Sequence, residues 1–130
     1  MSDIPKQLRY TKDHEWAKAS GDLIEVGITA YAVGQLGDVT LVDLPEAGTA
    51  LTAHKRFGDI ESVKTVSELF APVSGVVVEV NQDLRDRPEL VNDAPYAGGW
   101  MVRIRVTSQA ELSELMDADA YTAYLGTLDH

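Results

Sequence analysis

The stretch Ile60-Glu61-Ser62-Val63-Lys64-Thr65-Val66-Ser67-Glu68-Leu69-Phe70-Ala71-Pro72-Val73-Ser74-Gly75 decides how this chain folds. Val, Ile, Thr and Phe are dense in it, and Ala71-Pro72 and Ser74-Gly75 punctuate its end. That pattern reads as two short strands, Gly58 to Val63 and Thr65 to Phe70. Lys64 then stands alone where the two would meet in a hairpin. Glu61 precedes it by three residues.

Working outward, the same strand character recurs. Tyr10-Thr11, His14 to Ala19 and Leu23 to Ile28 read as strands, the last two joined by the turn Ser20-Gly21-Asp22. Thr29 is an N-cap for a short helix, Ala30 to Leu36, which Gly37 stops. Val39 to Leu44, Thr49 to Leu51, Gly75 to Val80 and Trp100 to Val106 are further extended segments. Asn81 to Asn92 reads as a loop, and Pro95 to Gly99 as a turn. Val39 to Leu44 and Gly75 to Val80 echo each other on either side of Lys64, each ending in an acid and an apolar residue. Two similar halves facing each other would place Lys64 at the tip of the link between them.

The end of the chain changes period. Ser108 and Glu111 fit a capping box, and Leu112, Leu115 and Met116 recur at helical spacing. A second helix is expected from Ala118 to Leu125, capped by Asp117. The first nine residues read as a weakly ordered tail. The expected fold is mainly β, with one short internal helix and C-terminal helices from about residue 108 to 125.

Composition narrows the function. The chain has 130 residues, 45% of them apolar, which suits one domain with a real core. The net charge of −10 argues against nucleic acid and against anionic membrane surfaces. No run approaches the roughly 20 apolar residues of a membrane span. The N-terminus has neither an apolar signal core nor an arginine-rich presequence, so a cytoplasmic chain is expected. With no cysteine, disulfides, thiolate catalysis and cysteine metal sites are out.

No self-sufficient catalytic set emerges. His14, His54 and His130 are scattered without metal-ligand spacing and read as surface or packed histidines. Ser62, Ser67 and Ser74 lack a nucleophile-elbow motif, and no glycine pattern marks a phosphate loop. The 21 carboxylates discriminate nothing by number, although Glu15 beside Trp16 suggests an acid in an aromatic-walled cleft. A free lysine amine is protonated and a poor nucleophile near neutral pH. Glu61 and Glu68 do nothing to free Lys64 of its proton. Lys64 is therefore not read as a catalytic amine; a tight hairpin tip would present it to a modifying enzyme, although most lysines are merely exposed, and the chain reads as a binding or carrier protein.

The ordered motifs make the reading sharper. Tyr10-Thr11, His14-Glu15-Trp16, Gly27-Ile28-Thr29, Leu36-Gly37-Asp38-Val39 and Asp43-Leu44-Pro45 are followed by Phe57-Gly58 and Glu61-Ser62-Val63-Lys64. Ala71-Pro72-Val73-Ser74-Gly75, Val78-Glu79-Val80-Asn81, Pro88-Glu89-Leu90-Val91-Asn92, Pro95-Tyr96 and Gly99-Trp100 complete the series. From about Leu8 to Leu125 the chain resembles the H proteins of the glycine cleavage system, which are lipoyl carriers.

That resemblance implies a single lipoyl-carrier domain, a flattened barrel-sandwich hybrid of two facing sheets. It places the lipoyl group on Lys64, with Glu61 and Ser62 as the motif that shapes the turn for a lipoyl ligase or transferase. It implies that the protein carries the aminomethyl group of glycine on lipoyl-Lys64. The group passes from the pyridoxal-phosphate P protein to the T protein, an aminomethyltransferase. The L protein, a dihydrolipoyl dehydrogenase, then reoxidises the arm. The protein itself would catalyse nothing. Glu15 matches a family position and is the candidate contact for the amine in a protective cleft, ahead of Asp13 and Glu68. The sequence departs from the family pattern in the basic loop Thr52 to Arg56, and at Asp13 and Gln35.

Other swinging-arm modules remain alternatives. Biotin carriers flank their lysine with methionines, where this chain has Val63 and Thr65. Lipoyl domains of 2-oxo acid dehydrogenases place an aspartate before the lysine and lack C-terminal helices. A lipoate relay would need Lys64 just as glycine cleavage does.

Overall fold

The structure is a computed structural model that describes residues 4–107 and 109–128. Nine strands form two sheets. The larger contains β1 (Arg9–Tyr10), β2 (Glu15–Ser20), β3 (Leu23–Ile28), β5 (Ala50–Leu51), β8 (Gly75–Val80) and β9 (Val102–Val106), in the order β1-β2-β3-β9-β8-β5. The smaller contains β4 (Val39–Asp43), β6 (Arg56–Ser62) and β7 (Val66–Phe70), in the order β4-β6-β7. All neighbours are antiparallel. The echoing strands β4 and β8 lie in different sheets, and the link between them carries Lys64.

The sheets sandwich one core, in which Ala17, Ile24 and Val26 of the larger sheet meet Val42, Ile60 and Leu69 of the smaller. Neither sheet closes on itself, so the architecture is an open sandwich of the expected hybrid type. Successive side chains on a strand face opposite ways. Trp16 therefore points away from this core, into a second cluster with Leu8, Tyr10, Ala118 and Tyr121. Its indole lies on Gly27, its partner across β2 and β3, where an added Cβ would sit 2.7 Å from the ring. Leu8, within the expected tail, is buried in the same cluster.

The internal helix α1 spans Ala30–Leu36, as its signals predict. Thr29 Oγ1 accepts from Ala32 N at 3.3 Å, and Gly37 N donates to Val33 O at 3.0 Å. The segment read as a loop, Asn81 to Asn92, contains two single-turn helices, α2 (Asp83–Asp86) and α3 (Leu90–Asp93). One turn is too short to show apolar periodicity, and burial of Leu84 and Val91 is what holds them.

At the C-terminus α4 covers Gln109–Ser113 and α5 covers Ala118–Leu128, three residues beyond the expected end. Asp117 caps α5 by accepting from Ala120 N at 2.8 Å. Ser108 of the expected capping box lies outside the described residues. Glu111 is used differently: its carboxylate accepts from Ser74 N at 2.6 Å and Ser74 Oγ at 3.0 Å, tying α4 to the turn before β8. Strand boundaries also shift. β6 begins at Arg56 rather than Gly58, with a bulge between them, and β9 begins at Val102 rather than Trp100.

Candidate functional site

Strands β6 and β7 meet in the three residues Val63-Lys64-Thr65, and Lys64 is exposed at the tip. Ser62 builds the turn. Its backbone N–H donates to Thr65 O at 2.8 Å, while its Oγ accepts from Lys64 N and Thr65 N, each at 3.2 Å. A hydroxyl satisfies amides that a tight turn would otherwise leave unpaired, and it stiffens the tip. Val63 N donates to Asp38 O at 3.1 Å, which anchors the tip to the corner after α1.

That corner is shaped for the lysine. Gly37 has φ 78° and ψ −150°, a region open only to glycine. A Cβ there would lie 3.1 Å from Lys64 Cε, so the lysine stem runs across the bare glycine. Asn92 of α3 braces the corner from behind. Its Nδ2 donates to Gly37 O at 2.8 Å, and its Oδ1 accepts from Val39 N at 2.8 Å.

Beside the corner, a cleft of about 250 Å³ opens between α1 and the smaller sheet. Ile28, Leu36, Ile60 and Leu69 supply apolar wall, and Asp13, His14, Glu15 and Gln35 contribute polar groups. Leu36 lines the cleft and its neighbour Gly37 touches Lys64, so the tip and the cleft share the end of α1.

Glu15 lines this cleft and is only 1% exposed. Its Oε1 accepts from Thr11 Oγ1 at 2.7 Å, and its Oε2 accepts from Phe70 N at 3.2 Å. Burial dominates all the same and pushes its carboxyl up to about 8. The Thr11 and Phe70 hydrogen bonds pull the other way, and Asp13 adds to the rise. Near pH 7 the Glu15 carboxyl is thus mostly protonated.

His14 stands next to it with φ 69°. Its Nδ1 lies 2.8 Å from Tyr121 OH, which lies 2.7 Å from Thr29 Oγ1. The chain His14–Tyr121–Thr29 thereby joins the cleft wall, helix α5 and the cap of α1. Burial holds His14 below the usual imidazole range, against a smaller opposing effect of Asp13.

The expected aromatic wall is corrected: Trp16 is not in the cleft, because adjacent residues of a strand face opposite ways. Tyr31 of α1 is the aromatic residue on the cleft, 4.7 Å from the His14 ring. Glu68 borders the cleft, but its carboxylate lies on the outer side, 3.7 Å from Arg56. Of the other histidines, His54 is exposed, and His130 lies outside the described residues. The bracing by Asn92 and the bridge by Tyr121 carry no signal in the sequence, since their partners lie 53 to 107 residues away. Among the described residues no cluster of His, Cys, Asp and Glu could hold a metal ion, and no helix is long and apolar enough to cross a membrane.

Comparison with known proteins agrees with this geometry. The family model for the glycine cleavage H-protein matches residues 8–127. The chain is 49% identical over 123 residues to a glycine cleavage system H protein of Staphylococcus carnosus, covering 95% of this chain and 98% of that one. It is 51% identical over 121 residues to one of Geobacillus thermodenitrificans, covering 93% and 95%. The crystal structure of a glycine cleavage system H protein from Mycobacterium marinum superposes with a TM-score of 0.88 at 41% identity, covering 95% of this chain and 99% of that one.

Proposed function

Because the chain belongs to the glycine cleavage H-protein family, a carrier component rather than a catalyst, we propose that Lys64 is its site of lipoyl attachment. The observation that carries this reading is a lysine exposed at a turn that Ser62 and Asp38 hold rigid. Acylation would form an amide between Nζ and an activated lipoyl carbonyl. The bond from that carbonyl carbon to its leaving group breaks, and the ammonium gives up two protons.

The residues present fit such a group. The stem of Lys64 already lies over Gly37, and the cleft beside it offers apolar wall to a hydrocarbon arm and a buried carboxyl to a cationic end. The group, when attached, supplies a dithiolane that carries the one-carbon amine of glycine from the P protein to the T protein and is reoxidised by the L protein. Tethering keeps that cargo at high local concentration near each partner.

Glu15 would do two things for the cargo. It would hold an ammonium away from bulk water, and it would ionise only when the cation arrived, because burial alone keeps it protonated. Docking would then release a proton near neutral pH. Asp13 and His14 face the same space, and the charge of Asp13 adds to the rise. Thr11 and Phe70 N fix the carboxyl by donating to it, one to each oxygen. If Glu15→Ala left the hydrolysis rate of the loaded form unchanged, this role would be wrong.

The experiment that tests the attachment is intact-mass spectrometry with peptide mapping, on protein exposed to lipoate and a lipoylating enzyme. The expected result is the gain of one lipoyl group on Lys64, lost in Lys64→Arg. Glycine-dependent NADH formation with the P, T and L proteins then tests the cycle. No gain, or a biotin-sized gain, overturns the proposal.

A further inference from the structure

The smaller sheet turns one face to the core and the other outward. Its outward face is unusual beside Lys64. Register places Leu41 opposite Glu61, and Glu61 opposite Val66, so the three side chains form one row across β4, β6 and β7. Neighbouring strands lie about 4.8 Å apart, which makes the row about 10 Å wide. Val63 follows at the tip.

Leu41 is 47% exposed, Val63 69% and Val66 62%. Among the described residues these are three of the five large exposed hydrophobic side chains, so most of them gather around one lysine. Single exposed apolar residues need no explanation, but a cluster beside a functional group marks a contact.

Glu61 stands in the middle of the row and makes no side-chain hydrogen bond or ion pair among the described residues. The next row, Asp43, Asp59 and Glu68, is wholly acidic, with Arg56 within 4 Å of Asp59 and Glu68. Burying Glu61 without a cation would cost far more than the apolar contacts return. The surface thus asks for an apolar partner face that carries an arginine or lysine at its centre.

Two occupant classes come into question: the enzyme that acylates Lys64, and the enzymes that act later at the end of the arm. Acyl transfer to Nζ needs the acyl carbon within about 3–3.5 Å. The acylating enzyme must therefore sit on the tip itself. A stable interface covers about 800 Å² per partner, and a disc of that area centred on Lys64 takes in the whole row. Enzymes that act on the far end of the arm have no such need to cover it.

We infer that Leu41, Glu61, Val63 and Val66 form the docking surface for the enzyme that acylates Lys64, through an apolar face with a basic residue set against Glu61. The inference rests on Lys64 being the attachment site. It adds Leu41, which belongs to a different strand more than 20 residues from the lysine. The tip's hydrogen bonds to Ser62 and Asp38 hold the surface in shape before the enzyme arrives, so little ordering entropy is lost on docking.

The test is steady-state acylation of the full chain by a purified lipoylating enzyme. Wild type, Leu41→Ser/Val66→Ser, Glu61→Gln and Val76→Ser are compared. Val76 is 40% exposed on the other sheet and serves as the control. The double variant is expected to lose about ten-fold or more in kcat/KM, through KM, with kcat at saturation preserved. Glu61→Gln is expected to weaken the salt dependence of KM, and Val76→Ser to behave as wild type. Thermal unfolding of each variant should match wild type, since Leu41, Val66 and Val76 are exposed and the half-buried Glu61 makes no side-chain hydrogen bond or ion pair among the described residues.

Equal kcat/KM in wild type and the double variant refutes the inference, as does an equal loss in Val76→Ser. Normal acylation of the double variant with slower glycine-dependent NADH formation also refutes it, and gives the surface to the later enzymes. If wild type itself is not acylated on Lys64, the carrier reading fails, and the docking surface fails with it.

Discussion

Replacing Glu15 by glutamine removes one titration from the floor of the cleft, and the consequence for stability can be worked through. In the unfolded chain this carboxyl titrates near 4.5, whereas in the folded protein burial pushes it up to about 8. Below pH 4.5 it is protonated in both states and contributes nothing. As the pH rises from 4.5, the unfolded chain loses the proton while the folded protein keeps it, so unfolding is progressively favoured. Above pH 8 both states are ionised, and the folded protein bears the full cost of a buried carboxylate. A displacement of that size corresponds to on the order of 5 kcal/mol.

Glutamine has nearly the same shape but no proton to lose. Its amide oxygen can accept from either Thr11 Oγ1 or Phe70 N but not from both, which costs about 1–2 kcal/mol at every pH. The assay is urea unfolding of both proteins from pH 4.5 to 9. Asp13, His14 and Glu68 border the same cleft but are common to both proteins, so their titration largely cancels in the difference. Between pH 4.5 and 9 wild type is expected to lose about 3–5 kcal/mol relative to Glu15→Gln. Parallel profiles would refute the claim that desolvation governs this carboxyl.

Other substitutions probe the scaffold around the tip. Asn92→Ala should cost about 1–3 kcal/mol in urea unfolding, because Gly37 O and Val39 N each lose a partner. The corner beneath the Lys64 stem loosens with it, so amide exchange at Gly37 and Val39 should accelerate. Tyr121→Phe keeps the ring stacked on Tyr10, 4.6 Å between centroids, but drops the hydroxyl between His14 and Thr29; a loss of about 1–2 kcal/mol is expected by the same measurement. Gly75→Ala would drive a Cβ into the backbone carbonyl of Arg105 and to 2.6 Å from Ile104 Cγ2, and should lower stability by about 3 kcal/mol. A thermal midpoint within two degrees of wild type would contradict that reading of the β8–β9 contact.

Much of this arrangement could be read locally. The Thr29 cap, the Gly37 stop, the two strands flanking Lys64 and the Asp117 cap are short-range signals, each completed within about four residues. The readings that changed depend on distance. Glu111 has the spacing of a capping box, yet its carboxylate is spent on Ser74, 37 residues away. Trp16 adjoins Glu15 in sequence, yet strand alternation sends the two to opposite faces. Period-2 alternation alone places the two side chains on opposite faces. The helical turns of α2 and α3 were not legible, since burial of single residues rather than a repeating pattern supports them.

By itself the sequence determined which residue is displayed. A lone lysine with strand-forming residues on both sides and a turn-forming serine before it can only sit at an exposed tip, because strand alternation and turn chemistry act within a few bonds. Only the tertiary structure decided the chemistry around it. Glu15 acquires its raised affinity for a proton from residues on β7, α1 and the turn before β2 that close over it, and desolvation is a property of the enclosure rather than of the residue. Likewise, Leu41 joins Glu61 and Val66 only through the register of three strands, which depends on how the whole sheet pairs and cannot be read from any one of them.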